Sequence, residues 1–164
     1  MSDRMLIKIR EVLAERGIRF QEKEHAPTYT SEESAASRGE ALGVGAKALL
    51  LKTDDVFRLF VLPADRKLDS AAIKRELKVK KIRFATAEEL HELTGLVPGS
   101  VPPFGDPILP FELFADQAVG TLYDRVAFNA GSLTHSIIMS ATDWQAVAKP
   151  QRFRFGKSEE SESS

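Results

Sequence analysis

The 164 residues, 43% of them hydrophobic, suffice for one globular domain around a single sizeable core and leave no room for a second full domain. A formal charge of −1 and a pI near 6.3 exclude the strongly basic footprint of a protein that grips long stretches of nucleic-acid backbone. Cysteine is absent, which excludes disulfides, a thiolate nucleophile and sulfur-ligated zinc.

Met5, Ile9, Val12 and Leu13 recur at helical spacing and Gly17 follows as a stop, predicting an amphipathic helix over one side of the core. This stretch is charged throughout, unlike a signal peptide, and no window reaches about eighteen uninterrupted apolar residues. A cytoplasmic protein with no membrane partner is expected. Residues 18–24 suggest a short strand, broken at His25-Ala26-Pro27. Thr30 and Glu33 have capping-box spacing for a helix that Gly43 and Gly45 punctuate. Residues 46–51 and 56–62 flank Asp54-Asp55 as a β-hairpin. Asp69 caps a helix through Leu77, a strand covers residues 82–84, and Thr86 with Glu89 repeats the capping box. Past a loop at 95–105, strands are expected at 108–114, 126–129 and 136–139, and a last helix from Thr142-Asp143. The pattern is an α+β single domain, a mixed sheet with peripheral helices, spanning residues 1–156; residues 157–164, KSEESESS, lack an apolar anchor and predict a disordered acidic tail.

The 95–105 loop holds three glycines and three prolines. Proline fixes the backbone and glycine permits close approach, which suits a wall whose amides face a ligand oxygen. Composition alone favours a plain rigid connection, because no phosphate-binding glycine fingerprint is present. Lys47 lies inside an otherwise apolar strand. On the pattern alone a solvent-facing edge lysine is the more ordinary reading, and an inward ammonium holding an anion the alternative. The three histidines, His25, His91 and His135, form no zinc spacing, so no metal is expected. The G-x-S-x-G elbow is absent, which leaves covalent catalysis without support. Basic residues gather from Arg66 to Arg83, either a solvated face or a contact for phosphates.

Taken together, His25-Ala26-Pro27, the strand Gly45-Ala46-Lys47-Ala48-Leu49, the loop Pro98-Gly99-Ser100-Val101-Pro102-Pro103-Phe104-Gly105 and the segment Ala127-Phe128-Asn129-Ala130-Gly131-Ser132 resemble the YbaK and prolyl-tRNA synthetase editing domains. This family comprises aminoacyl-tRNA deacylases. The likeness runs from about Ile18 to Pro150 and is strongest toward the freestanding YeaK-like branch. It implies a curved mixed sheet whose pocket receives the acceptor end of an aminoacyl-tRNA and its esterified amino acid, with no cofactor. It also reverses the ranking for Lys47, which matches the family's functional lysine and would anchor the substrate. Gly99 and Pro103 match the glycine and proline of the catalytic loop, whose amides would stabilise an oxyanion. His25, Ser100, Val101, Pro102, Phe104, Asn129, Ala130, Gly131 and Ser132 complete the implied substrate-binding set.

Some relatives that act on alanine carry a histidine near position 129, where this chain has an amide. The resemblance therefore implies hydrolysis of tRNA mischarged with a small amino acid, serine or threonine ahead of alanine or cysteine, by a monomer with no DNA partner. The alternative is a noncatalytic module that binds aminoacyl-tRNA or a nucleotide on the same fold.

Overall fold

Local signals start most elements of the computed structural model, which describes residues 3–158. Helix α1 (Asp3–Glu15) turns Leu6, Ile9 and Leu13 inward, and β1 (Phe20–Glu24) follows. Helix α2 (Ser31–Arg38) opens on the expected capping box, in which Thr30 Oγ1 accepts the Glu33 N–H at 3.1 Å. The hairpin strands are β2 (Ala46–Thr53) and β3 (Val56–Pro63). After β4 (Arg66–Leu68), Asp69 caps α3 (Ser70–Leu77), and β5 (Ile82–Phe84) precedes α4 (Ala87–Thr94) with its Thr86–Glu89 capping box. The remaining elements are β6 (Leu113–Asp116), β7 (Arg125–Asn129), β8 (His135–Ser140), α5 (Ala141–Ala148), β9 (Gln151–Phe153) and β10 (Gly156–Ser158).

The α+β expectation holds, with the strands divided among sheets. A mixed five-stranded sheet has the order β5-β2-β3-β6-β9, an antiparallel one β1-β8-β7, and β10 pairs with β4. Side chains of β3 alternate between two cores: Leu59 and Val61 face the space closed by α1, α4 and α5, while Phe60 and Leu62 face α3. Burial on both faces makes β3 the centre of the molecule. Among the described residues no helix is long and apolar enough to cross a membrane.

Four boundaries differ from expectation. Helix α2 stops earlier, because Gly39 takes a left-handed φ of 71° and its N–H closes on Ala35 and Ala36, while Gly43 and Gly45 flank a short 3₁₀ turn at Leu42–Val44. The strand expected at 108–114 begins only at Leu113. Pro107 and Pro110 remove ladder donors, and Ile108 and Leu109 both bond back to the Gly105 carbonyl, so these apolar residues are buried in a turn. Helix α5 is capped by Ser140, whose Oγ accepts the Asp143 N–H at 3.0 Å, two residues ahead of Thr142. Lys157 and Ser158, expected in a disordered tail, pair with Lys67 and Arg66. Nearby, the buried Asp116 carboxylate accepts the Phe155 and Gly156 N–H groups and fixes the last turn of chain. Residues 159–164, the remainder of that expected tail, lie outside the described residues.

The fully buried Trp144 backs the glycine-proline loop, its indole Nε1 donating to the Pro103 carbonyl at 2.9 Å. Trp144→Phe deletes that donor and strands the carbonyl. Chemical denaturation should show a loss of about 1–3 kcal/mol; a change below about 0.5 kcal/mol would remove Trp144 as the loop's anchor.

Candidate functional site

The outer side of β2 is only half covered. Strand β5 pairs with Leu51 to Thr53, and the Leu50 carbonyl still accepts the Ala85 N–H at 2.9 Å. From there the edge is bare until Gly45 meets Ala127 in a single parallel bridge. A cavity of about 190 Å³ occupies this gap, floored by Ala46, Lys47, Ala48 and Leu49. Its other walls come from the start of α2, from Pro98, Gly99 and Val101 of the loop, and from Ala127 and Asn129 of β7. Among the described residues no Asp or Glu lines it.

One hydrogen-bond chain ties these walls together. Arg38, the last residue of α2, donates from Nη2 to Asn129 Oδ1 at 3.1 Å and from Nε to Ser136 Oγ at 2.9 Å. Asn129 Nδ2 donates onward to the Gly99 carbonyl at 2.8 Å. A guanidinium only donates, so Asn129 must turn its oxygen to Arg38 and its NH₂ to the loop. His25 Nε2 lies 2.8 Å from the same Ser136 hydroxyl, behind the cavity wall. Burial pushes the Arg38 guanidinium down to about 10, with the Glu40 carboxylate opposing the shift, so it stays charged at neutral pH.

Of the residues singled out from sequence, Lys47, Gly99, Val101 and Asn129 line the cavity. Gly99 needs to be glycine, because its φ is 88°. The Gly99 and Val101 amides donate to no protein group among the described residues, whereas the Ser100 and Phe104 amides are used in turns. Pro103 does not reach the cavity: it has no N–H, its carbonyl serves Trp144, and it shapes the loop from behind. Pro102 and Phe104 are buried beside it, Phe104 edge-on to Phe128 at 5.3 Å. The Ser100 hydroxyl closes a turn on Val97, and its carbonyl accepts the Gly131 N–H. Ala130 belongs to the core, and Gly131, with φ of 78°, supports α1: a Cβ there would sit 2.5 Å from Met5. Ser132 bonds to Thr134 and lies near His135, whose Nε2 is 3.4 Å from Glu24; none of these lines the cavity.

Sequence reasoning missed Arg38, Ser136 and the cavity residues Thr28 and Tyr29. An arginine before a glycine reads as an ordinary helix end, and only the pairing of β8 with β7 reveals its burial. Tyr29 is 76% exposed at the cavity mouth, an apolar ring left in water that could have been noticed beside the capping box. A shallow groove continues past Lys47 and Leu49 to Lys67, Arg83 and the 58% exposed Phe84, so Lys47 stands where groove and cavity meet. Lys47 shares its face of β2 with Leu49 and Leu51. Among the described residues no group of three or more potential ligands could hold a metal ion.

Residues 25–147 match the model of a family described as the aminoacyl-tRNA editing domain. The chain is 34% identical over 149 residues to the multifunctional Ser/Thr-tRNA deacylase ProXp-y of Escherichia coli K12, covering 88% of each. It is 36% identical over 104 residues to the proline–tRNA ligase of Bacillus licheniformis, 63% of this chain but only 18% of that one. Among solved structures, a candidate trans-editing enzyme for prolyl tRNA synthetase superposes with a TM-score of 0.80 at 24% identity, over 94% of this chain and 98% of the other, which establishes the shared fold.

The Gly131 contact separates support from chemistry. Gly131→Ala should lower stability by about 2–4 kcal/mol, combining left-handed strain with overpacking against Met5. Thermal unfolding checks this; an unchanged midpoint would show that α1 can shift without cost.

Proposed function

The chain belongs to the aminoacyl-tRNA editing domain family, and from that membership we propose how its cavity works. The protein is an aminoacyl-tRNA deacylase: it hydrolyses the ester that joins an amino acid to the terminal ribose of a mischarged tRNA, acting in trans. The observation that carries the reading is a cavity lined by Lys47, the Gly99 and Val101 residues with their uncommitted amides, and Asn129, on the fold of the family. About 190 Å³ is below the roughly 300–1,000 Å³ of pockets that enclose a whole drug-sized ligand. The aminoacyl end enters, and the adenine base stays at the mouth beside Tyr29. That size favours small amino acids, in keeping with the Ser/Thr specificity in the name of the E. coli relative.

Water adds to the ester carbonyl carbon, and the carbonyl electron pair moves onto oxygen. The Gly99 and Val101 amides receive that oxyanion, as preorganised donors do in acyl transfer. Collapse restores the carbonyl and expels the ribose oxygen, which takes a proton. The neighbouring ribose hydroxyl directs the water, since among the described residues no carboxylate lines the cavity and His25 lies behind its wall. Lys47 anchors the substrate where the groove enters the cavity. Asn129, oriented by Arg38, braces the loop that carries the donors.

The groove and the basic stretch around it carry the acceptor end. Lys67 and Arg83 line it, Lys74, Arg75, Lys78, Lys80 and Lys81 of the same stretch are exposed, and Phe84 offers a face for a base. The protein works as a cytoplasmic monomer with the tRNA end as its partner.

Release of labelled amino acid from tRNA charged with serine, threonine, alanine or cysteine tests the reading. Lys47→Ala should lower kcat/KM by about 100-fold or more on the preferred substrate. No release from any of the four, despite binding, would instead favour a noncatalytic module. Three phosphate contacts would weaken tRNA binding roughly 40-fold between 50 and 200 mM salt; a salt-independent affinity would remove the basic groove from the picture.

A further inference from the structure

Arg38 carries a charge that the fold itself leaves unanswered. Its side chain is buried, with 5% of the residue exposed, yet both of its acceptors are neutral oxygens, on Ser136 and Asn129. Glu40, the carboxylate whose field it feels, is held by Arg125 at 2.7 Å. No ion pair among the described residues includes Arg38. Removing a guanidinium from water without a counter-charge is costly, so its retention calls for a partner from outside.

The partner's position follows from the remaining donors. Five N–H bonds are available on a guanidinium, and the two acceptors occupy one at Nε and one at Nη2. Among the described residues every fully buried side-chain nitrogen or oxygen has a hydrogen-bond partner, whereas Nη1 has none, so Nη1 is reachable from outside. It lies 3.5 Å from the Cβ position at Gly45, and both residues line the cavity. Ser136 and Asn129 fix the plane of the guanidinium while its remaining edge stays open. With Lys47 as the other cation and no acid among the described residues of the lining, the cavity is built for negative charge.

We propose that Arg38 is the anion-receiving residue of the cavity, its Nη1 edge taking an oxyanion of the substrate. On the deacylase reading, that oxyanion is the ester oxygen in the tetrahedral intermediate, shared with the Gly99 and Val101 amides, and then the carboxylate of the released amino acid, or else the phosphodiester of the terminal nucleotide. The need for an anion rests on the structure alone; its identity rests on that reading.

The test compares Arg38→Met and Arg38→Lys with the wild type on seryl-tRNA and on 3′-seryladenosine, which lacks the phosphodiester. Melting temperatures are recorded, and binding of AMP is compared with that of adenosine. Arg38→Met removes a buried cation but also the donors to Ser136 and Asn129, so it should melt below the wild type while staying folded at the assay temperature. If the ester supplies the oxyanion, kcat falls about 100-fold on both substrates. If the phosphodiester supplies it, KM rises about tenfold on seryl-tRNA alone, and the preference for AMP over adenosine disappears. Arg38→Lys, which keeps the cation but not the fork of donors, should recover about tenfold of a 100-fold loss in kcat, or about threefold of a tenfold rise in KM.

Unchanged kcat, KM and AMP preference in Arg38→Met would overturn the proposal. So would equal losses in Arg38→Met and Arg38→Lys, which would mean that only the hold on Asn129 matters. Should Arg38→Met fail to fold, Arg38→Gln takes its place in the same comparison. A wild type that turns over neither substrate defeats the deacylase reading; the AMP comparison then decides Arg38 by itself, and a wild type with no preference for AMP overturns the assignment.

Discussion

A single side-chain amide holds the cavity together. Asn129 Oδ1 accepts from Arg38 and from Ser136, and its Nδ2 grips the Gly99 carbonyl. One end of the amide can face only donors and the other only an acceptor, so the orientation is forced. Through it, α2 sets the position of a loop some sixty residues further along the chain, about 100 Å away if that stretch were half extended. The polar contacts are satisfied inside a compact region, where each is stronger than in water and each loss is felt by its neighbours.

The cavity owes its place to an incomplete sheet. Strand β2 has neighbours on both sides only toward its end, and its first residues present a bare edge to the loop and to β7. Open edges invite pairing with other chains; here the loop and α2 flank the gap and convert it into a cavity with an open mouth. The loop is stiff because it is backed. Its Pro103 carbonyl is held by Trp144, Phe104 packs on Phe128, and Ser100 bonds internally to Val97 and receives the Gly131 N–H. Rigid backing of this kind is what preorganised donors require.

Most of the fold was legible because its signals are local. Capping boxes at Thr30 and Thr86, the Asp69 cap and the hairpin around Asp54-Asp55 need only a few neighbouring residues to be recognised. Strands β4 and β10 were not, since Arg66-Lys67-Leu68 is short and polar and its partner lies some ninety residues on. The buried Asp116 escaped notice for the same reason: its partners are the amides of Phe155 and Gly156. Lys47, Gly99 and Asn129 were found because their motif is distinctive, and the structure places all three on one cavity. Arg38 sits in a segment with no motif, and its meaning arises only where α2, β7 and β8 converge. Neighbouring motif residues that point away, such as Ala130 and Gly131, show that a motif can record packing demands as well as chemistry.

The segment through β7 carries one more lesson. Ala127 and Asn129 line the cavity, while Val126, Phe128 and Ala130 belong to the core on the other side. A two-residue period thus divides neighbouring positions into two classes. Substitutions at 127 reshape the chamber at a cost in the small cluster that Ala127 forms with Val44 and Ile138, whereas those at 126, 128 and 130 act on the main core. Divergence of substrate preference in such a protein can proceed along every second residue of one short strand, and a designer seeking to redirect it would begin there.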